Sequence, residues 1–252
     1  MGKLDGKVAL ITGSGRGMGK SHALLMAKEG AGVIVQDIDA ALVEEAAAEV
    51  RKTGAKVHTI VCDVSDADAY PKAIAAADKA MGGHIDILVN NAGIDTPGTI
   101  EEISTEAWQR MFDIHVKGAF LGAKSVVPGM KARRQGKIVN VSSIWGMVGH
   151  NSHSHYCGAK AALLGLTKAW AKELAPFNVM VNAIAPGLVT TEMVLKKGGM
   201  EYINQAAEKV PLKRSADVIE MSYTVLFLSC HESDFITGQV ISPNGGDTIV
   251  GI

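Results

Sequence analysis

The chain has 252 residues, 25 of them basic, 26 acidic and 47% hydrophobic. That length can bury a substantial core as one α/β domain, and the near balance of charge excludes a general nucleic-acid or anionic-membrane surface. Cys62, Cys157 and Cys230 are widely spaced with no C-x-x-C, so neither a disulfide framework nor a zinc site is indicated and the three read as small packing residues.

Met1 to Leu10 shows no charged-then-apolar leader, and no apolar run is long enough to span a bilayer, so the expected location is cytoplasmic. Lys7 to Ile11 reads as a strand. The glycine cluster Thr12-Gly13-Ser14-Gly15-Arg16-Gly17-Met18-Gly19 follows, then a helix from Ser21 to Glu29. Glycines at a strand-to-helix turn let the backbone approach a pyrophosphate, whose charge is held by the N–H groups and positive dipole of the helix. The second strand, Gly32 to Asp37, ends in an acid. A carboxylate there can bond both ribose hydroxyls of an adenosine and repels a 2′-phosphate, which favours NAD over NADP. Arg16 pulls towards a 2′-phosphate, and Asp39 competes with Asp37 for the role of helix cap.

The alternation continues with helix Ala41 to Lys52, strand Lys56 to Val61, helix Ala67 to Met81 and strand Ile85 to Val89. Repeated βα units imply a parallel sheet with helices on both faces and ligands at the strands' C-terminal ends. Asp63 and Asn90-Asn91-Ala92-Gly93 fall at such ends. Asp63 suits an adenine amino group or a helix cap, Asn90 a brace across the sheet, and the small Ala92 and Gly93 the close approach of a ribose. A single helical segment is expected from Thr105 to about Met130, with most of Trp108, Met111, Phe112, His115, Phe120 and Leu121 in the core. Strands at Lys137 to Val141 and Val179 to Ile184, a helix from Asp217 to Ser229 and a last strand from Gln239 to Ser242 complete the pattern. Leu188 to about Lys209 has glycines, lysines and weak periodicity, as a mobile substrate cover would. No internal repeat or linker interrupts the chain.

Tyr156 and Lys160 are four apart, so on a helix they share a face. A phenol titrates near pH ~10 in water, and a neighbouring ammonium favours its phenolate, which makes the pair a usable acid/base nearer neutrality. Ser143, at the end of the Lys137 to Val141 strand, can meet that tyrosine.

Taken together, these motifs resemble the short-chain dehydrogenase/reductase family across essentially the whole chain. Thr12 to Gly19 matches its Thr-Gly-x-x-x-Gly-x-Gly turn, Asn90 to Gly93 its Asn-Asn-Ala-Gly segment, Ser143, Tyr156 and Lys160 its catalytic spacing, and Pro186, Gly187 and Thr191 its Pro-Gly-x-x-x-Thr segment. The resemblance implies a single doubly wound Rossmann-type α/β domain over residues 1–252, with a seven-stranded parallel sheet flanked by helices, a substrate-covering segment at about 188–210 and a homotetramer. It implies hydride transfer between NAD(H) and a secondary alcohol or ketone. Tyr156 is then the acid/base, Ser143 holds the substrate oxygen, and Lys160 lowers the tyrosine and binds the nicotinamide ribose. Carried over by position, the cofactor-binding set is Gly13, Arg16, Gly17, Met18, Gly19, Asp37, Ile38, Asp63, Val64, Asn90, Ala92, Gly93, Tyr156, Lys160, Pro186, Gly187, Val189 and Thr191, the last bonding the carboxamide.

One position departs from the family pattern. His115 stands where the family usually has an asparagine that holds a water in the proton path. A neutral histidine also offers one donor and one acceptor, so it either keeps a relay and makes it pH-sensitive or packs with the relay weakened. His150, His153 and His155 are close enough in sequence to bind metal, but no acid or cysteine nearby completes a ligand set. With Asp95, Trp145, Met147, Leu188 and Met193 they are expected to form a pocket with polar and apolar walls, and no metal is expected. Two rivals remain: a 3-oxoacyl-carrier-protein reductase using NADPH, disfavoured by Asp37 and by the lack of a basic cluster, and a catalytically silent nucleotide-binding or scaffold protein.

Overall fold

The structure, a computed structural model, describes residues 2–196 and 198–250. Position 197 of the expected cover and the last two residues of the tail lie outside the described residues. The strands are β1 (Val8–Thr12), β2 (Gly32–Asp37), β3 (Val57–Val61), β4 (Ile87–Asn90), β5 (Gly136–Val141), β6 (Val179–Ile184) and β7 (Val240–Ile241). They form one seven-stranded sheet in the order β3-β2-β1-β4-β5-β6-β7, every neighbouring pair parallel. β1 and β5 are buried along their whole length, as strands covered on both faces must be.

Helices α1 (Gly17–Lys28), α2 (Ala40–Arg51) and α3 (Ala69–Met81) follow the first three strands. After β4 come α4 (Thr105–Phe112), a π-helical turn at Asp113–Lys117 and α5 (Gly118–Arg133); after β5 come α6 (Trp145–Val148) and α7 (Ser154–Leu174). Beyond β6 lie α8 (Glu192–Leu195), α9 (Gly199–Ala207) and α10 (Val218–Ser229). One core layer joins Ala23 and Met26 of α1, Val43 and Val50 of α2 and Val225 of α10 to one face of the sheet. The opposite layer joins Tyr70 and Ile74 of α3, Leu121 and Val126 of α5 and Leu174 of α7 to the other.

Because β1 pairs with β2 on one side and β4 on the other, successive connections leave in opposite directions at the β1/β4 junction. A crevice opens there at the C-terminal strand ends, and the glycine turn and Asn90–Gly93 border it.

Three elements depart from the sequence expectation. α1 starts at Gly17, so the last glycines of the turn already belong to the helix. The single helix expected from Thr105 is interrupted by the π turn, and Trp108 and Phe120 are 42% and 46% exposed. Trp108 instead stacks on Phe112 with ring centroids 5.1 Å apart, while Met111, His115 and Leu121 are buried. The segment after Leu188 carries two helices, with Ile203 and Ala207 of α9 buried and its start fixed by a parallel bridge between Val189 and Ala216. No described helix is long and apolar enough to cross a membrane.

Candidate active site

The cofactor side is built from close backbone approaches. A Cβ at Gly13 would stand 2.8 Å from Ala92 Cα, and one at Gly19 would collide with the Gly13 carbonyl, so only glycine lets the turn nest against the β4 loop. Thr12 and Asn91 lock that nest. Thr12 Oγ1 accepts from the N–H groups of Asn91 and Ala92, each at 2.9 Å, and Asn91 Nδ2 donates to the Thr12 carbonyl at 2.8 Å. Neither stood in the expected binding set, although both lie inside motifs read from the sequence.

Asp39 caps α2, accepting from Ala41 and Leu42 N–H. Asp37 is thereby released: its Oδ2 accepts from Gly15 N–H at 3.1 Å and its Oδ1 from Ile38 N–H at 2.8 Å, which places the carboxylate beside the glycine turn. Arg16 points away towards the cover, 3.4 Å from Glu192. Asp63 accepts from Ser65 N–H and Oγ and pairs with Arg110 at 2.7 Å; the cap of α3 is supplied by Asp66, which accepts from Ala69 N–H. Asn90 donates to Asn140 Oδ1 at 2.8 Å, and Asn140 donates to Thr167 at 2.9 Å, the expected brace across the sheet and on to α7. Gly187 abuts Asn244, whose Cα a Cβ there would meet at 2.9 Å. Thr191 caps α8 by accepting from Val194 N–H, and its hydroxyl proton remains available to donate.

Ser143, Tyr156 and Lys160 converge at the C-terminal end of β5. Ser143 Oγ accepts from Trp145 N–H at 3.2 Å and lies on the side of the Tyr156 hydroxyl, whose proton affinity it lowers. Lys160 Nζ donates to the Val141 carbonyl at 2.7 Å and lies 5.5 Å from the Tyr156 ring centre. Ser142 Oγ donates to the Lys160 carbonyl at 2.8 Å, and Gly146 lets α6 press on α7, since a Cβ there would stand 2.7 Å from Lys160 C. Gly146 is a supporting residue whose only mark in the sequence is its place between Ser143 and Tyr156.

Burial governs the proton affinities. It pushes the Tyr156 phenol above its ordinary value, Asp95's negative charge adds to that, and the neighbouring Ser143 hydroxyl opposes it. Burial also lowers the Lys160 ammonium to about 7, against the pull of Asp95. The ammonium expected to lower the tyrosine is thus itself weakened by desolvation.

His115 sits in the π turn, 3% exposed, with its ring edge-on to Tyr156 at 5.5 Å between centres. Its Nε2 lies 2.8 Å from the Ile94 carbonyl and 3.1 Å from Ile94 N–H. Burial first, then the Lys160 charge, holds the imidazole far below its usual value, so it is neutral. Nδ1 has no protein partner, and the residue lines a cavity of about 10 Å³, about one water, together with Thr12 and Asn90.

On the substrate side, Trp145 stacks on His150 with centroids 3.9 Å apart and meets Tyr156 edge-on at 5.9 Å. His153 and Asp95 lie beside this group with their side chains nearly closed to solvent. His155 reaches Thr96 Oγ1 at 3.2 Å rather than the pocket rim. Met193, on α8, is 42% exposed. Among the described residues no group of three or more His, Cys, Asp or Glu side chains is placed to hold a metal ion.

A doubly wound sheet with this serine, tyrosine and lysine beside a glycine turn defines an oxidoreductase of the Rossmann type. The profile of the family described as short chain dehydrogenase matches residues 7–201, and the chain belongs to that family. It is 39% identical to the 3-oxoacyl-[acyl-carrier-protein] reductase FabG of Thermotoga maritima, over 97% of this chain and 98% of that one. It is 40% identical to the trans-4-hydroxycyclohexanecarboxylate dehydrogenase of Sinomonas cyclohexanicum, over 96% and 93%. The crystal structure of carveol dehydrogenase from Mycobacterium avium in complex with NAD superposes with a TM-score of 0.93 at 30% identity, covering 98% of this chain and 99% of that one.

Proposed function

We propose that this protein transfers a hydride between NAD(H) and a secondary alcohol or its ketone, with Tyr156 as the acid/base. The observation that carries the reading is the convergence of Ser143, Tyr156 and Lys160 beside a cradle that admits no added Cβ at Gly13 or Gly19. That cradle fits a dinucleotide. The glycine turn would hold the pyrophosphate, Asp37 and Ile38 the adenosine ribose, Asp63 and Val64 the adenine, Ala92, Gly93 and Lys160 the nicotinamide ribose, and the run from Pro186 through Val189 to Thr191 the carboxamide. The bound nicotinamide supplies the hydride acceptor or donor.

The chain's own residues handle the proton. In the oxidising direction Tyr156 Oη takes the hydroxyl proton as the carbon gives up hydride, and Ser143 Oγ holds the substrate oxygen. Lys160, at about 7, can lose or gain a proton near neutrality and so reset the tyrosine. His115 keeps the Tyr156 ring oriented and offers Nδ1 to a relay. Trp145, His150 and Met193 wall the substrate, with Asp95 and His153 behind them, and residues 188–210 cover it. The same reading makes residues 1–252 one functional unit of a cytoplasmic homotetramer, which light scattering would test.

The test begins with fluorescence titration of NADH and NADPH, then NAD reduction over a panel of secondary alcohols with wild type and Tyr156→Phe. Tighter NADH binding is expected, with turnover lost by about 10²- to 10⁴-fold in the variant while NADH still binds. Unaltered turnover by Tyr156→Phe sinks the enzymatic reading and leaves a nucleotide-binding protein. Preferred NADPH binding favours the carrier-protein reductase, the reading that the Thermotoga maritima relative supports.

A further inference from the structure

Asp63 lies just after β3 and Arg110 on α4, 47 positions further along the chain. They meet with Ser65 in a closed ring of hydrogen bonds. Arg110 Nη2 donates to Asp63 Oδ2 at 2.7 Å and Nη1 to Ser65 Oγ at 2.8 Å. Ser65 closes the ring, its Oγ donating to Asp63 Oδ1 at 2.7 Å and its N–H to the same oxygen at 2.9 Å. A carboxylate offers about four acceptor positions, two per oxygen. Both on Oδ1 and one on Oδ2 are taken, so among the described residues one position on Oδ2 remains. Burial raises this carboxyl's proton affinity, but the bonds from Ser65 and Arg110 outweigh it and hold Asp63 below its ordinary value. The ring therefore presents an anion with a single acceptor position.

The backbone here is held independently of the ring. Gln36 Nε2 donates to the Cys62 carbonyl at 2.6 Å and Gln36 Oε1 accepts from Gly13 N–H at 3.1 Å, which ties the residue before Asp63 to the glycine turn. What Arg110 fixes is the orientation of the carboxylate. Its planar fork reaches Asp63 and Ser65 at once, which the single nitrogen of a lysine does not reproduce.

We propose that Arg110 is a positioning residue for base recognition. It holds the remaining acceptor position of Asp63 in the orientation that takes a hydrogen bond from the amino group of adenine. The site thereby selects adenine over hypoxanthine, whose carbonyl at that position has no proton to donate. Arg110 acts through Asp63 without touching the base. This rests on the reading that the protein binds NAD(H) with Asp63 at the adenine.

The test is fluorescence titration with NADH and with reduced nicotinamide hypoxanthine dinucleotide, which differ only in the base. Wild type should bind NADH about tenfold tighter or more. Arg110→Ala should reduce that preference by about threefold or more, chiefly by weakening NADH. A merely structural role would weaken both ligands alike and leave the ratio where it was. Arg110→Lys should restore the preference only in part, and Asp63→Ala should abolish it. A ratio unchanged in Arg110→Ala but abolished in Asp63→Ala overturns the proposal and leaves Asp63 at the adenine. A ratio unchanged in Asp63→Ala overturns both assignments. Failure of wild type to bind either dinucleotide removes the cofactor reading, and the proposal with it.

Discussion

Gly93 and His115 form a contact whose energetics can be measured. A methyl group at position 93 would fall well inside van der Waals contact of His115 Cε1 and 3.0 Å from Nδ1. The ring has little room to yield, because it is 3% exposed and its Nε2 is held by the backbone of Ile94. Gly93→Ala should therefore cost about 1 to 3 kcal/mol for overpacking, and about 1 more if the Ile94 bond is given up. His115→Ala alone should cost about 2 kcal/mol or more, from lost packing and the same bond. In the double variant the added methyl occupies space that the ring has left, so the two costs should fall short of their sum by about 2 kcal/mol. Urea unfolding of the four proteins at pH 8 reads that coupling. Additivity within about 0.5 kcal/mol would refute the contact, and with it the view that a glycine at 93 is what admits a histidine where the family usually has asparagine.

Two further outcomes follow from single residues. Asp37→Ser should raise the ratio of NADPH to NADH affinity by about tenfold or more, as it removes a carboxylate that opposes a 2′-phosphate, while leaving α2 intact because Asp39 supplies its cap; an unchanged ratio in fluorescence titration would place discrimination elsewhere. His22, 1% exposed and bonded to Ser222 Oγ at 2.8 Å, is held by burial at about 3. Its folded value lies below the unfolded value of ~6.5, so the unfolded chain binds the extra proton. The stability it contributes is complete above pH ~6.5 and falls by about 1.4 kcal/mol per pH unit towards about 3. Urea midpoints from pH 8 to 5 should decline less steeply in His22→Gln, and parallel curves would contradict this.

The sequence made the sheet legible because buried β-rich runs ending in glycine, asparagine and acidic residues mark strand ends. It made Ser143, Tyr156 and Lys160 legible because their spacing survives any small error in element boundaries. It left open which acid caps α2, since Asp37 and Asp39 are equally suited by type; only the hydrogen bonds to Ala41 and Leu42 separate them. The proton affinities of Tyr156 and Lys160 were also out of reach, because they depend on desolvation, a property of the assembled core. Hydrophobicity alone points most of the residues from Trp108 to Leu121 to the core without saying which are the exceptions, and the π turn at Asp113–Lys117, near which Trp108 and Phe120 stay exposed, leaves no clear mark in residue type.

That interruption has a geometric effect of its own. A π turn places one more residue in a revolution than an α-helix does, so it offsets the helical phase by one residue, about 100°. α4 and α5 run on as a nearly continuous rod, yet their side-chain stripes do not line up. The first stripe meets α7, which carries Tyr156, and the second meets α3 on the far side. One rod thereby serves two partners that an unbroken helix with a single apolar stripe could not face together, and His115 stands at the point where the phase changes.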